Sequence, residues 1–255
     1  MANKKPRFKR ILLKLSGEAL MGAGSFGIDP TVLKTIAKEI HNVRRQGVEI
    51  AIVVGGGNIF RGLNSAAFGL ARMPGDYMGM LATVINGIAL GEALTAAGSE
   101  ARVMSAIDMY AVTETYIRER AVHHLSKGRI VVCVAGTGSP YFSTDTAAAL
   151  RAMELRADVL LKATKVDGVF DSDPVKNKAA KRFDRLTYQE VIEKDLKVMD
   201  MTAVALAMEQ SLPIIVFNLK KKDHIWKVVC GEALGTYISG GDQCKKKSLP
   251  NSKTK

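Results

Sequence analysis

Cysteine is scarce in this chain of 255 residues. Cys133, Cys230 and Cys244 form no C-x-x-C pair and no even set, which excludes a disulfide scaffold and argues against a cysteine-based zinc site. His41, His123, His124 and His224 complete no H-E-x-x-H pattern, so no protein-held metal is assigned. No run approaches the length of about eighteen apolar residues that a membrane helix needs. The basic N-terminus leads into a strand-like run rather than a signal-peptide core, so the sequence reads as cytoplasmic, without a membrane segment. Aromatic residues amount to 6%, and the basic segments hold a single one, Phe8, short of the repeated interleaving of stacking residues in a nucleic-acid interface. The formal charge of +12 is concentrated at the ends. Lys4, Lys5, Arg7, Lys9 and Arg10 open the chain, and Lys245, Lys246, Lys247, Lys253 and Lys255 close it. The body between holds 27 basic and 25 acidic side chains, and nucleic acid is not an expected partner.

At 47% hydrophobic and 24% charged residues, the chain has the composition of a globular protein able to bury a full core. Short β-branched runs at Ile11–Leu15, Glu49–Val54, Ala101–Met104, Ile130–Ala135, Val159–Ala163 and Pro213–Asn218 lack polar alternation, as parallel strands buried on both faces do. A last strand is read at Gly235–Ser239. Helices are expected from Asp29 as cap, with Pro30 in the first turn, to Gly47; from Asp76 to Ala97; from Thr113 to Lys127; and from Met201 to Gln210. This order predicts an α/β fold, a three-layer α/β/α sandwich on a mainly parallel sheet with right-handed crossovers. The Gly, Asp and Pro-rich stretch from Lys165 to Arg185 reads as a loop or small hairpin beside the site. One domain is expected over 10–239, between a basic segment at 1–9 and a basic, disordered tail at 240–255.

In such a sheet, ligands gather beyond the carboxyl ends of the strands. Three of those ends are glycine-rich: Ser16-Gly17, Gly55-Gly56-Gly57, and Gly136-Thr137-Gly138. Glycines there let backbone N–H groups approach phosphate oxygens, and three such loops at one edge suggest more than one phosphate-bearing ligand. No Gly-Lys dipeptide exists for a P-loop, neither the Gly55 run nor the Gly136 run completes G-x-G-x-x-G, because Phe60 and Tyr141 stand where the third glycine would be, and no G-x-S-x-G elbow occurs. Lys14 and Lys162 each interrupt a strand that otherwise looks buried. Each is either a lysine snorkelling from a sheet edge or a cation paired with an anion at the strand end, and its recurrence favours the second reading. Asp145 and Asp200 each precede or open a helix, where capping alone explains them, but a capping carboxylate can also orient a phosphate-binding lysine.

Five segments occur together and in order: Lys14-Leu15-Ser16-Gly17-Glu18-Ala19-Leu20, Gly55-Gly56-Gly57-Asn58-Ile59-Phe60-Arg61-Gly62, Gly75-Asp76-Tyr77-Met78-Gly79-Met80, Ala135-Gly136-Thr137-Gly138, and Lys162-Ala163-Thr164-Lys165-Val166-Asp167-Gly168-Val169. The combination closely resembles the bacterial uridylate (UMP) kinases of the amino acid kinase family, over roughly residues 8 to 239. The resemblance implies phosphoryl transfer from ATP, with Mg2+, to UMP, giving UDP for pyrimidine nucleotide synthesis. By position, Lys14, Leu15, Ser16, Gly17, Gly57 and Arg61 would hold the ATP phosphates, and Thr164, Phe170 and Asp173 would border the adenosine. Gly56, Asp76 and the loop Thr137, Gly138, Ser139, Pro140, Tyr141, Phe142, Ser143 and Thr144 would bind UMP. Lys14 and Lys162 would stabilise the transferring group, with Asp145 and Asp200 as orienting carboxylates. A homohexamer, inhibition by UTP through the UMP site and GTP as a candidate effector are also implied. Gly22 to Gly27, Arg102 and Arg129 resemble parts of the activator region, whereas Gly91 and Thr95 stand where GTP-activated members tend to carry basic residues. Two other readings are a family kinase acting on an amino acid or carbamate, and a nucleotide sensor on the same fold.

Overall fold

The computed structural model describes residues 4–60 and 69–241. β1 (Arg10–Leu15) lies mid-sheet, hydrogen-bonded in parallel to β2 (Glu49–Val54) on one side and β6 (Val159–Thr164) on the other. Outward from β2 run β5 (Ile130–Val134), β3 (Ala101–Ser105) and β4 (Glu114–Thr115). Outward from β6 run β10 (Ile214–Asn218), β11 (Thr236–Ser239) and β9 (Arg185–Thr187). Among the described residues only the β10–β11 pairing in this sheet is antiparallel. The loops after β1, β2, β5 and β6 therefore open at one sheet edge.

Side chains alternate between two cores with the period of a strand. Leu13, Leu15, Ile52, Val54 and Leu161 face α1 (Pro30–Arg44), α2 (Arg72–Ala96) and α7 (His224–Val229). Leu12, Val53, Leu160 and Val216 face α3 (Arg118–Ser126), α4 (Thr144–Glu154), α5 (Tyr188–Glu193) and α6 (Met201–Glu209). The three expected layers are present. Helix α1 starts as its sequence dictates: the Asp29 carboxylate accepts from Thr31 N at 2.8 Å and Val32 N at 3.1 Å, with Pro30 in the first turn.

Three expectations need correction. The segment expected to be helical from Thr113 begins instead as β4, which pairs with β3 in the register Met104↔Glu114, and the helix starts only at Arg118. Thr113, Thr115 and Ile117 are β-branched, and an available sheet edge outweighs the helical periodicity. Helix α2 begins at Arg72, four residues before the expected Asp76, with Ala71 at its N-cap offering no side-chain cap. At 25 residues, α2 is also long and apolar enough to cross a membrane, contrary to the reading that no such stretch exists. Half of its most apolar stretch is buried in the protein, where it packs on the sheet as a core helix. Between β6 and β9 the chain forms a hairpin of β7 (Val169–Phe170) and β8 (Arg182–Phe183).

Candidate active site

The parallel register places Lys14 of β1 directly beside Lys162 of β6, and the strand alternation turns both toward α4 and α6. Two ammonium groups on adjacent strands repel each other, and burial makes each unfavourable alone. Asp145, in the first turn of α4, resolves the conflict: Oδ1 lies 2.7 Å from Lys14 Nζ, and Oδ2 accepts from Lys162 Nζ at 2.8 Å. Lys162 also donates to the backbone carbonyl of Val198. Their side chains are only 9%, 14% and 15% exposed for Lys14, Lys162 and Asp145. Burial pushes the Asp145 carboxyl up, but the two lysines outweigh it and hold it below the ordinary aspartate value. Burial pulls Lys162 below the ordinary lysine value, against the opposing pull of Asp145. One carboxylate shared by two ammonium groups leaves this centre able to receive an anion.

Asp200 caps α6 by accepting from Ala203 N at 2.9 Å, and binds the hydroxyls of Thr146, at 2.9 Å, and Ser143. Ser143 in turn caps α4 through Asp145 N and Thr146 N. Asp200 therefore fixes the start of α4, and with it Asp145. For Asp200 capping and site assembly are one arrangement; for Asp145 the capping expectation fails, because Ser143 takes the cap position of α4 and the Asp145 carboxylate is turned to the two lysines.

On one side of the centre, a cleft of about 520 Å³ is lined by Lys162, Thr164, Phe170, Asp173, Val198 and Val216, among others. All three residues expected beside adenosine face this cleft. The loop from Gly136 to Thr144 runs directly into Asp145. Gly136, Gly138 and Tyr141 adopt positive φ of 59°, 82° and 73°. A Cβ on Gly138 would meet the Ala106 carbonyl oxygen at 2.9 Å, so no larger residue fits there without a shift. Tyr141 holds its left-handed conformation because its N–H donates to Asp76 Oδ2 at 2.8 Å, while Arg72 lies 5.0 Å over its ring and 3.5 Å from the same carboxylate. Asp76 and the Thr137–Thr144 loop, distant in sequence, are thus brought together. Thr137, Ser139, Pro140 and Phe142 complete the loop, with Thr137 Oγ1 donating to Ser139 O at 3.1 Å.

The loops after β1 and β2 close the middle. Gly55 N donates to Leu15 O at 2.8 Å, and a Cβ on Gly17 would lie 2.8 Å from Gly57 N. Ser16 is the N-cap residue of the short 3-10 turn Gly17–Leu20. A Cβ on Gly56 would strike the Gly79 carbonyl at 2.7 Å and Thr83 N at 3.0 Å, so this glycine seats the loop against α2. Arg61 lies outside the described residues, as does the tail from 242 onward.

Sequence reasoning assigned no role to Ser143 and Thr146 as partners of Asp200, to Arg72, or to the buried amides of Asn58 and Asn86. Asn86 carried a usable signal, being an amide on an otherwise apolar helix face. In the region likened to an activator site, Arg129 Nε lies 2.8 Å and Arg102 Nη2 2.6 Å from Glu100, so both arginines are already paired. A Cβ on Gly91 would meet Val103 Cγ2 at 2.8 Å, so a side chain there requires Val103 to shift.

The amino acid kinase family model matches residues 9–218. The UMP kinase from Bacillus anthracis superposes with a TM-score of 0.88 at 42% identity, over 91% of this chain and 96% of that one. The UMP kinase from Ureaplasma parvum gives 0.86 at 36%, over 91% and 99%. The uridylate kinase from Archaeoglobus fulgidus gives 0.71 at 30%, over 90% and 99%. With this fold, these strand-end loops and these relatives, the chain belongs to the amino acid kinase family, in its UMP kinase branch.

Proposed function

We propose that the chain transfers the γ-phosphoryl group of ATP to UMP, giving ADP and UDP, and so supplies pyrimidine nucleotide synthesis. The observation that carries this reading is the position of the Lys14–Asp145–Lys162 centre: Lys162 forms a wall of the 520 Å³ cleft, while Asp145 follows directly on the Gly136–Thr144 loop. ATP enters the cleft with adenosine beside Thr164, Phe170 and Asp173. Its phosphates lie along Lys14, Leu15, Ser16, Gly17 and Gly57, with Arg61 as a further contact. UMP lies on Gly56, Asp76 and the Thr137–Thr144 loop, and the acceptor and γ-phosphates meet above the two lysines.

The acceptor needs little activation. The second phosphate pKa of a monophosphate is about 6, so its attacking oxygen is already ionised at neutral pH, and no general base is required. Catalysis reduces to alignment and charge neutralisation, which is what two fixed ammonium groups and a ring of backbone N–H groups provide. Asp145 keeps the two Nζ atoms in place, and Asp200 keeps Asp145 in place. Among the described residues no cluster of three potential metal ligands occurs, and the carboxylates at the centre are bound to lysines, hydroxyls and a backbone N–H. Mg2+ fits this donor set as part of the ATP complex, where it neutralises phosphate charge, rather than in an all-protein cage.

UTP acts as inhibitor by occupying the UMP site. The paired state of Arg102 and Arg129 and the crowding at Gly91 support a weak or absent response to GTP. A homohexamer is supported by the apolar stripe Met73, Tyr77, Leu81 and Ile85, spaced four residues apart on α2 and each 40–52% exposed. The protein works in the cytoplasm.

The test is ADP formation from magnesium ATP with UMP, CMP, AMP, carbamate or N-acetylglutamate offered separately. Turnover with UMP, and at most weak turnover with CMP, is expected, since the cytosine amine would mispair at a site built for a carbonyl. Turnover only with carbamate or an acyl amino acid would reassign the acceptor; tight nucleotide binding without turnover would indicate a sensor.

A further inference from the structure

The loops that serve the two substrates are joined by a buried pair of asparagines. Asn58 follows the Gly55-Gly56-Gly57 run, and Asn86 lies on α2, ten residues beyond Asp76. They are 2% and 0% exposed. Asn58 Nδ2 donates to Gly27 O at 2.8 Å and Asn86 Oδ1 at 3.0 Å, while Asn86 Nδ2 donates to Gly55 O at 2.7 Å and Asn58 Oδ1 at 2.6 Å. All four amide hydrogens are used. The orientation of both amides is fixed, because the Gly27 and Gly55 carbonyls can only accept, and turning either amide over would set oxygen against oxygen.

The pair ties the loops after β1 and β2 to α2. A Cβ on Gly17 would lie 2.3 Å from Asn58 Oδ1, so the loop after β1 rests on this amide. Gly57 precedes Asn58 in the chain. Gly56 is seated on α2 at Gly79 and Thr83, and α2 carries Asp76. Thr83 Oγ1 also accepts from Ala135 N at 2.7 Å, which anchors the start of the loop that runs on to Thr144. A purely apolar contact between α2 and the β2 loop would be adjustable. Two mutually saturated, buried amides permit one register, because any slip leaves buried donors unpaired.

We infer that the Asn58–Asn86 pair is a positioning device that sets the ATP-side loops relative to the UMP-side helix, so that the two phosphates are in line; this rests on the reading of the site given above. Neither asparagine contacts a reacting atom. The pair therefore governs the relation between the two substrates more than the affinity for either.

The distinguishing probe is adenosine joined to uridine through five phosphates, which spans both sites and binds tightly only when they are aligned. Asn86→Leu keeps the bulk and removes the donors. Its affinity for this probe is expected to fall by about 100-fold, with kcat falling similarly, as a misplacement of an ångström or so does. Dissociation constants for ATP alone and UMP alone are expected to stay within about threefold. Asn86→Ser, whose hydroxyl can still donate to Gly55 O, is expected to retain an intermediate kcat and guards against the leucine variant failing to fold. Asn58→Ala combined with Asn86→Leu is expected to be no worse than the poorer single variant, since the two residues act as one unit.

Equal losses of probe, ATP and UMP affinity, in step with a lowered thermal midpoint, would overturn the inference in favour of a structural role. So would unchanged kcat in a folded Asn86→Ser or Asn86→Leu protein. Failure of the wild type to turn over UMP or to bind the probe would instead remove the underlying reading of the site.

Discussion

The centre of the site and the cleft rim proposed to hold adenosine are built in opposite ways. Lys14 and Lys162 stand on mid-sheet strands with their ammonium groups on one buried carboxylate, and the helical turn that carries it is fixed through its backbone by Ser143 and Asp200. The rim is the β7–β8 hairpin, two residues per strand, whose exposed connection is held by local bonds such as Asp173 Oδ1 accepting from Val175 N at 2.9 Å and Lys181 N donating to Asp171 Oδ1 at 3.0 Å. Strands surrounded on both sides hold a charge to a fraction of an ångström; a short hairpin holds a shape that a ligand can adjust. On the proposed reading, charge stabilisation belongs to the first kind of structure and adenosine recognition to the second.

The comparison breaks most sharply at the centre. Lys14→Ala is expected to lower kcat by about 1,000-fold, the scale of removing a donor aimed at developing charge, as measured by ADP formation at saturating substrates. Asp145→Asn keeps the shape but leaves two buried ammonium groups without their carboxylate, and unfolding by urea should show a loss of about 3–5 kcal/mol. In acid the same group sets a sign: its folded-state value is depressed, so its contribution is present above the ordinary aspartate range and lost as pH falls through the folded value. At the rim, Phe170→Ala should raise KM for ATP by about tenfold with kcat nearly unchanged, because it removes binding felt equally in ground and transition states.

Far from both regions, Glu39 on α1 supplies a control. Burial pushes its carboxyl up to about 7, against the bond it accepts from Ile225 N at 2.8 Å. The folded state therefore holds this proton more tightly than the unfolded chain, and stability falls as pH rises from about 4.5 toward 7. Glu39→Gln should remove that slope and stabilise the protein at pH 8 by roughly 1–3 kcal/mol, with kcat unchanged. Thermal midpoints of both proteins across this range would check it.

The centre was legible in the sequence for the reason that makes it rigid. A lysine inside an apolar run, twice, is a local signal, as is a glycine where a strand ends. Asp29 followed by Pro30 marks a helix start just as plainly. What remained hidden depends on pairing at a distance. Glu114 and Thr115 are strand because β3 offers an edge, not because of their neighbours in sequence. The bond from Tyr141 N to Asp76 spans 65 residues, and the Asn58–Asn86 pair spans 28. Lys14 and Lys162 could each be noticed alone, but their register as direct neighbours exists only once β1 and β6 are paired.

The most direct test of the account is single-turnover kinetics with Lys162→Met, ATP and UMP both bound before magnesium is added. If the two lysines neutralise charge at the centre, the chemical step slows by about 100-fold or more while the dissociation constant of ATP moves by less than about threefold. A weakened ATP affinity with an undiminished chemical step would place Lys162 with the rim, as a binding residue, and would contradict the division of labour described for this site.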